Sequence, residues 1–136
     1  MHRYEILPHT ADVRVRALGS TRAGLLIAAL KGMFSAAVPR YVGEPTETRR
    51  PFKLESGDFN ALLVDFLNEA VSLSDMNHEA YEDVAFTLIT DTKAEGEFVG
   101  KPVTGFETQI KAATHTGQGA TKKDEGVWEA TLTFDT

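Results

Sequence analysis

The chain has 136 residues, 42% hydrophobic and 25% charged, with 20 acidic against 14 basic residues and a net charge of -6. That length suits one domain with a sizeable core, and the composition is that of an ordinary globular protein, which excludes global disorder. The absence of cysteine excludes disulfides, thiolate zinc sites and cysteine nucleophiles, while the acidic balance argues against strong direct nucleic-acid binding, whose affinity comes from cations neutralising phosphates.

In chain order, Met1-His2-Arg3-Tyr4-Glu5 lacks the apolar core of a signal peptide, and no window approaches the ~18 apolar residues of a membrane span. The cytoplasm is therefore the expected address. Val13, Val15 and Ala17 alternate with Asp12, Arg14 and Arg16, the pattern of a half-buried strand that ends at Leu18-Gly19. Ser20-Thr21 offers a helix N-cap. Leu26, Leu30, Met33, Phe34 and Ala37 then make one apolar helix face, weakened at Gly24 and Gly32 and stopped by Pro39.

A polar loop from Tyr41 to Pro45 leads to a strand through Phe52 and Leu54, placed at a sheet edge or starting there because Pro51 cannot donate to a ladder. Asp58 caps the strongest helix, whose stripe is Leu62, Leu63, Phe66, Leu67, Ala70 and Val71 and which ends across Asp75 to His78. Four strands follow, marked by Val84, Phe86 and Leu88; by Ala94, Gly96 and Phe98; by Thr108, Ile110 and Ala112; and by Trp128, Ala130, Leu132 and Phe134. Residues 117–126 read as a polar, mobile hairpin loop. The expected fold is α/β (α+β): a two-layer sandwich of a mixed β-sheet and two main helices, in one domain spanning 1–136.

The common catalytic signatures are absent: no Gly-rich phosphate loop, no Gly-x-Ser-x-Gly elbow, no His-Glu-x-x-His and no EF-hand loop. Two polar clusters at the chain ends stand out. His9-Thr10-Ala11-Asp12 enters the first alternating strand; taken alone it reads as a turn in which Thr10 and Asp12 satisfy local backbone groups. Asp135 and the terminal carboxylate of Thr136 lie one residue apart, and hard cations prefer such oxygens. Asp12 and Asp135 occupy strand ends of compatible parity. Brought together, they call for a cation, or for a partner's lysine or arginine, as counterweight. Lys111 reads as an exposed lysine on the wet face of a sheet, functional only beside an anion. His78 and His115 read as solvated residues without metal spacing. Asp65, Asn68 and Glu69 read as a solvated helix face or a polar contact surface.

The pieces together resemble the archease family along nearly the whole chain. The resemblance is carried by His9-Thr10-Ala11-Asp12 before Val13 and Val15; by Gly19 and Thr21 before a helix closing on Gly32-Met33-Phe34; and by Leu62-Leu63-Val64-Asp65-Phe66-Leu67-Asn68-Glu69. Ile110-Lys111-Ala112-Ala113-Thr114, Trp128-Glu129-Ala130 and the terminal Phe134-Asp135-Thr136 complete it. The chain departs from the family at Thr114-His115-Thr116, where Thr-Tyr-His is usual, and at Arg22 and Gly24, where acidic residues are common.

The resemblance implies a small accessory protein, not an enzyme, that activates the guanylylating RNA ligase of tRNA splicing and RNA repair by promoting its guanylylation and turnover. It implies a divalent cation, calcium first and magnesium or manganese as alternatives, held by Asp12, Asp135 and Thr136. It implies that Lys111, with His9, acts on the partner, and that no residue of this chain is catalytic. Two other readings remain beside it. One is a general chaperone or modulator of RNA-modifying enzymes such as a methyltransferase; the other is a metal-dependent hydrolase using Asp12, His9 and Asp135.

Overall fold

The computed structural model describes residues 1–7, 12–117, 119–123 and 125–136. The class is the expected one, α+β with two main helices. Its strands pair antiparallel throughout and fall into two sheets, where one mixed sheet was expected. The first sheet has the order β1 (His2–Leu7), β2 (Val13–Gly19), β9 (Trp128–Asp135), β7 (Ala112–His115), with the short β8 (Thr121–Lys122) also on β9. The second is built on the long β6 (Lys93–Phe106), which pairs with β3 (Pro39–Tyr41), β4 (Thr48–Glu55) and β5 (Glu79–Ile89). Pro51 lies in β4, an edge strand, where its missing N–H costs no ladder bond.

Helix α1 (Arg22–Ala37) begins as its sequence requires, with the Thr21 hydroxyl accepting from the Gly24 amide at 2.9 Å. It closes with Val38 in the left-handed region at φ 54°. α1 touches β1, β2 and β9 on one side and β5 on the other. Burial on both sides explains why its apolar residues extend beyond one stripe, to Leu25, Ala28 and Ala29. Gly32 allows the crossing over the first sheet: a Cβ there would meet Val15 Cγ1 at 2.5 Å and Tyr4 Cβ at 3.1 Å. The helix-weakening glycine is thus a packing requirement.

Helix α2 (Phe59–Asn77) is capped by Asp58, whose carboxylate accepts from the Ala61 amide at 2.8 Å, and ends at His78 with φ 56°. Its apolar face packs on the second sheet through an aromatic cluster in which Phe66 lies 5.1 Å from Phe98 and Phe52 lies 4.5 Å from Phe98. Neither described helix is long and apolar enough to cross a membrane.

At the start of β5, Glu79 is 2% exposed. Arg50 grips it through two bonds of 2.8 Å, and the Tyr81 hydroxyl donates to the same carboxylate at 2.8 Å. The hydrogen bonds from Arg50 hold the Glu79 carboxyl below the usual carboxylate range against the opposing effect of burial. Burial, reinforced by Glu79, pushes the Tyr81 hydroxyl up.

Candidate functional site

β2, β9 and the approach to β7 end together at one corner of the first sheet. Val13 stands opposite Phe134, so Asp12, one step before Val13, comes level with Asp135. On the other side of β9, Ala112 stands opposite Asp135, and the Lys111 amide donates to the Asp135 carbonyl at 2.8 Å. Asp135 therefore lies between Asp12 and the Lys111–Ala112 step. Asp12, Lys111 and Asp135 are all exposed. The structure thus brings Asp12, Asp135, Thr136 and Lys111 to one corner from three separate segments. His9 lies outside the described residues.

Thr136 has the parity of Phe134 and lines a hollow with Ile6, Val13, Ser35, Ala36, Val38 and Thr108. Ser35 and Ala36 belong to the last turn of α1, which carries no basic residue. A helix C-terminus bears a partial negative charge. It lies on the sheet face that Val13 and Phe134 occupy, whereas Asp12 and Asp135 have the opposite parity, so at this corner the two exposed carboxylates favour a cation by charge alone. The donor set is entirely oxygen, which suits a hard ion such as calcium or magnesium rather than zinc. Among the described residues no group of three or more His, Cys, Asp or Glu is gathered to hold a metal. The two carboxylates and the main-chain oxygens of Thr136 would leave coordination positions to water or to a partner.

The segment bearing Lys111 differs from its sequence reading. Residues 108–111 form no strand; the strand begins at Ala112 and runs to His115. α2 ties this segment down at three places. Asp75 accepts from the Gln109 side chain at 2.9 Å. Asn68 bonds both backbone groups of Ala113, accepting from its amide at 2.8 Å and donating to its carbonyl at 3.2 Å. Asn60 presents its carbonyl to His115 Nε2 and its side-chain oxygen to the Ala120 amide, the latter at 2.8 Å.

Two corrections follow. His115 is half-buried against α2, not solvated, and its Nδ1 is buried with no hydrogen-bond partner among the described residues. Within residues 117–126, read as a loop, Thr121 and Lys122 form β8, which pairs with Trp128 and Glu129, and the Lys122 ammonium lies 5.9 Å from the centre of the Trp128 ring. Gln118 and Asp124 lie outside the described residues. The polar face of α2 divides likewise. Asn68 is a structural tie, whereas Asp65 accepts from the Ser56 hydroxyl at 2.6 Å. Sequence reading missed Asn60 and Asp75. The available signal was their placement with Asn68 along one flank of the apolar stripe, about two turns apart.

Residues 4–136 match the model of the archease protein family. Protein archease of Methanosarcina barkeri is 31% identical, with 98% of this chain and 95% of that protein covered. Protein archease of Thermococcus gammatolerans is 32% identical, with 99% of each covered. Among solved structures, protein 1598 of Methanobacterium thermoautotrophicum superposes with a TM-score of 0.69 at 23% identity, over 98% of each chain. The crystal structure of a Thermotoga maritima archease, described as a possible chaperone, superposes with a TM-score of 0.65 at 20% identity, over 96% of this chain and 94% of that one.

Proposed function

Because the chain belongs to the archease family, we propose that it is an accessory protein that activates a guanylylating RNA ligase, the enzyme of tRNA splicing and RNA repair. The observation that carries this reading is the register bringing Asp12 level with Asp135 and bonding Lys111 to the same residue. A relative described as a possible chaperone agrees with an accessory role.

In this reading Asp12, Asp135 and the main-chain oxygens of Thr136 hold a divalent cation, calcium first and magnesium or manganese in its place, with the remaining positions open to the partner. Such an ion supplies positive charge where phosphates accumulate. This chain's residues position it. The carboxylates attract the cation, and Asn68 and Asp75 fix the segment from which Lys111 projects. Lys111 then contacts a phosphate or a carboxylate of the ligase. His9, three residues before Asp12 in the sequence, is proposed to act on the partner as well. The ligase keeps the covalent chemistry, and RNA is reached through the ligase rather than gripped by this acidic chain. The cytoplasm is the proposed compartment.

The test is ligase guanylylation with and without this protein. Wild type is expected to stimulate it, while Asp12→Ala, Asp135→Ala and Lys111→Ala variants with wild-type circular dichroism lose most of the stimulation. Full stimulation by the folded aspartate variants rejects the site. Stimulation of several unrelated RNA-modifying enzymes, insensitive to Asp135→Ala, points instead to a general chaperone. Metal-dependent phosphoester turnover by this protein alone points to a hydrolase.

A further inference from the structure

β1 is an edge of the first sheet. β2 covers one of its sides, and among the described residues no strand pairs with the other. Natural edges are blunted by charged side chains, proline, a bulge, an inward-pointing charge or a covering element; the charges of β1, Arg3 and Glu5, are of opposite sign and lie on its outer face. β1 has no proline, and its register runs unbroken from His2 opposite Gly19 to Leu7 opposite Arg14. Its sheet-inward positions carry Tyr4 and Ile6, opposite the buried Ala17 and Val15.

The hydrogen-bond parity of the edge follows from one bond. The Ser20 amide donates to the Met1 carbonyl at 2.8 Å, which makes Met1 and Ser20 a bonded pair. Antiparallel ladders alternate bonded and non-bonded pairs. Arg3, Glu5 and Leu7 therefore bond to β2, while the backbone groups of His2, Tyr4 and Ile6 point out of the sheet.

We propose that β1 is a self-complementary pairing strand that takes the β1 of a second copy of this chain, antiparallel, about a two-fold axis through Tyr4. With the axis there, every outward-pointing backbone group finds a partner: Tyr4 bonds Tyr4 of the second copy, and His2 bonds its Ile6. The non-bonded pairs between them, where side chains come closest, set Arg3 against Glu5 of the second copy, twice by symmetry. Neighbouring registers lack this match. An axis through Glu5 opposes two glutamates, and an axis through Arg3 opposes two arginines. On the inner face, Tyr4 and Ile6 are 39% and 43% exposed in the single chain and become covered by Tyr4 and His2 of the second copy. Glu5 already lies 3.5 Å from Arg16, so the outer face becomes a continuous ladder of Arg16, Glu5 and Arg3 of the second copy.

The resulting dimer joins two sheets across β1. Asp12, Asp135 and Lys111 lie beyond the Leu7 end of each β1, so the two-fold axis leaves one corner at each end of the joined sheet.

Light scattering and sedimentation on the full chain test this. Wild type is expected to show a reversible shift toward twice 14.9 kDa as concentration rises. Arg3→Glu and Glu5→Arg should each raise the dimer dissociation constant roughly tenfold or more, because each turns two opposite-charge pairs into like-charge pairs. Circular dichroism of each variant serves as the folding control. Mixing the two variants restores opposite charges across the axis, so the mixture should dimerise where neither variant does alone. A wild-type chain that stays monomeric up to millimolar concentration overturns the proposal. So does a dimer unaffected by both substitutions, or a mixture that fails to pair.

Discussion

Asn68 occupies a helix yet behaves as a strand residue, bonding both the amide and the carbonyl of Ala113. Each such bond contributes on the order of 1 kcal/mol, and leaving partly buried backbone groups unpaired adds to the loss. Asn68→Ala is therefore expected to lower stability by about 2 kcal/mol in urea denaturation and to speed hydrogen exchange at Ala113 more than at Leu132. Gly32 makes the converse case. Alanine there gains helix propensity of about 1 kcal/mol, but its Cβ would stand 2.5 Å from Val15 Cγ1. Overpacking costs roughly 1–3 kcal/mol, so Gly32→Ala should lower the melting temperature, whereas propensity alone predicts a rise.

Glu79 sets a pH dependence at the same scale. Its carboxyl titrates lower in the folded protein than when unfolded, so the folded state gains stability from its ionised form. That contribution is present above the unfolded value of about 4.3 and disappears as pH falls through the folded value. Stability measured between pH 7 and pH 2 should fall steeply at the acid end. In Glu79→Gln the acid limb should flatten, with neutral-pH stability already reduced by about 2 kcal/mol through loss of the charged hydrogen bonds to Arg50.

At the scale of elements, both helix starts were legible because capping is local chemistry. Thr21 and Asp58 each bond an amide three residues ahead. Asp58→Ala should cost about 1 kcal/mol, measurable as a shift in the denaturation midpoint with an unchanged slope. The strands were legible where burial is one-sided, as in β2 and β9, whose alternation reports a covered and an open face. β1 was not, because an exposed edge strand imposes no apolar alternation. The approach to β7 was misjudged for a related reason. Ile110 is 6% exposed and reads as a strand position, but it is buried as the segment crosses from α2 toward β9, not by a ladder.

At the scale of the whole molecule, the candidate corner depends on residues separated by more than a hundred positions meeting through the β2–β9 pairing. If the corner holds a cation, binding to the folded state alone must stabilise it. Adding calcium in excess should then raise the melting temperature of wild type, and this rise should vanish in Asp12→Ala and Asp135→Ala. Reversal by a chelator checks that the ion is responsible.

By itself the sequence determined the α+β class, the caps, the core face of α2 and the carboxylates that mark the chain ends. These depend on local hydrogen bonding and on side-chain periodicity, both written in neighbouring residues. Only the tertiary structure decided that the strands form two sheets, that Asp12 and Asp135 lie level, and that Asn60, Asn68 and Asp75 tie down the Lys111 segment. Register between distant strands is set by how the whole core closes, and no stretch of adjacent residues encodes it.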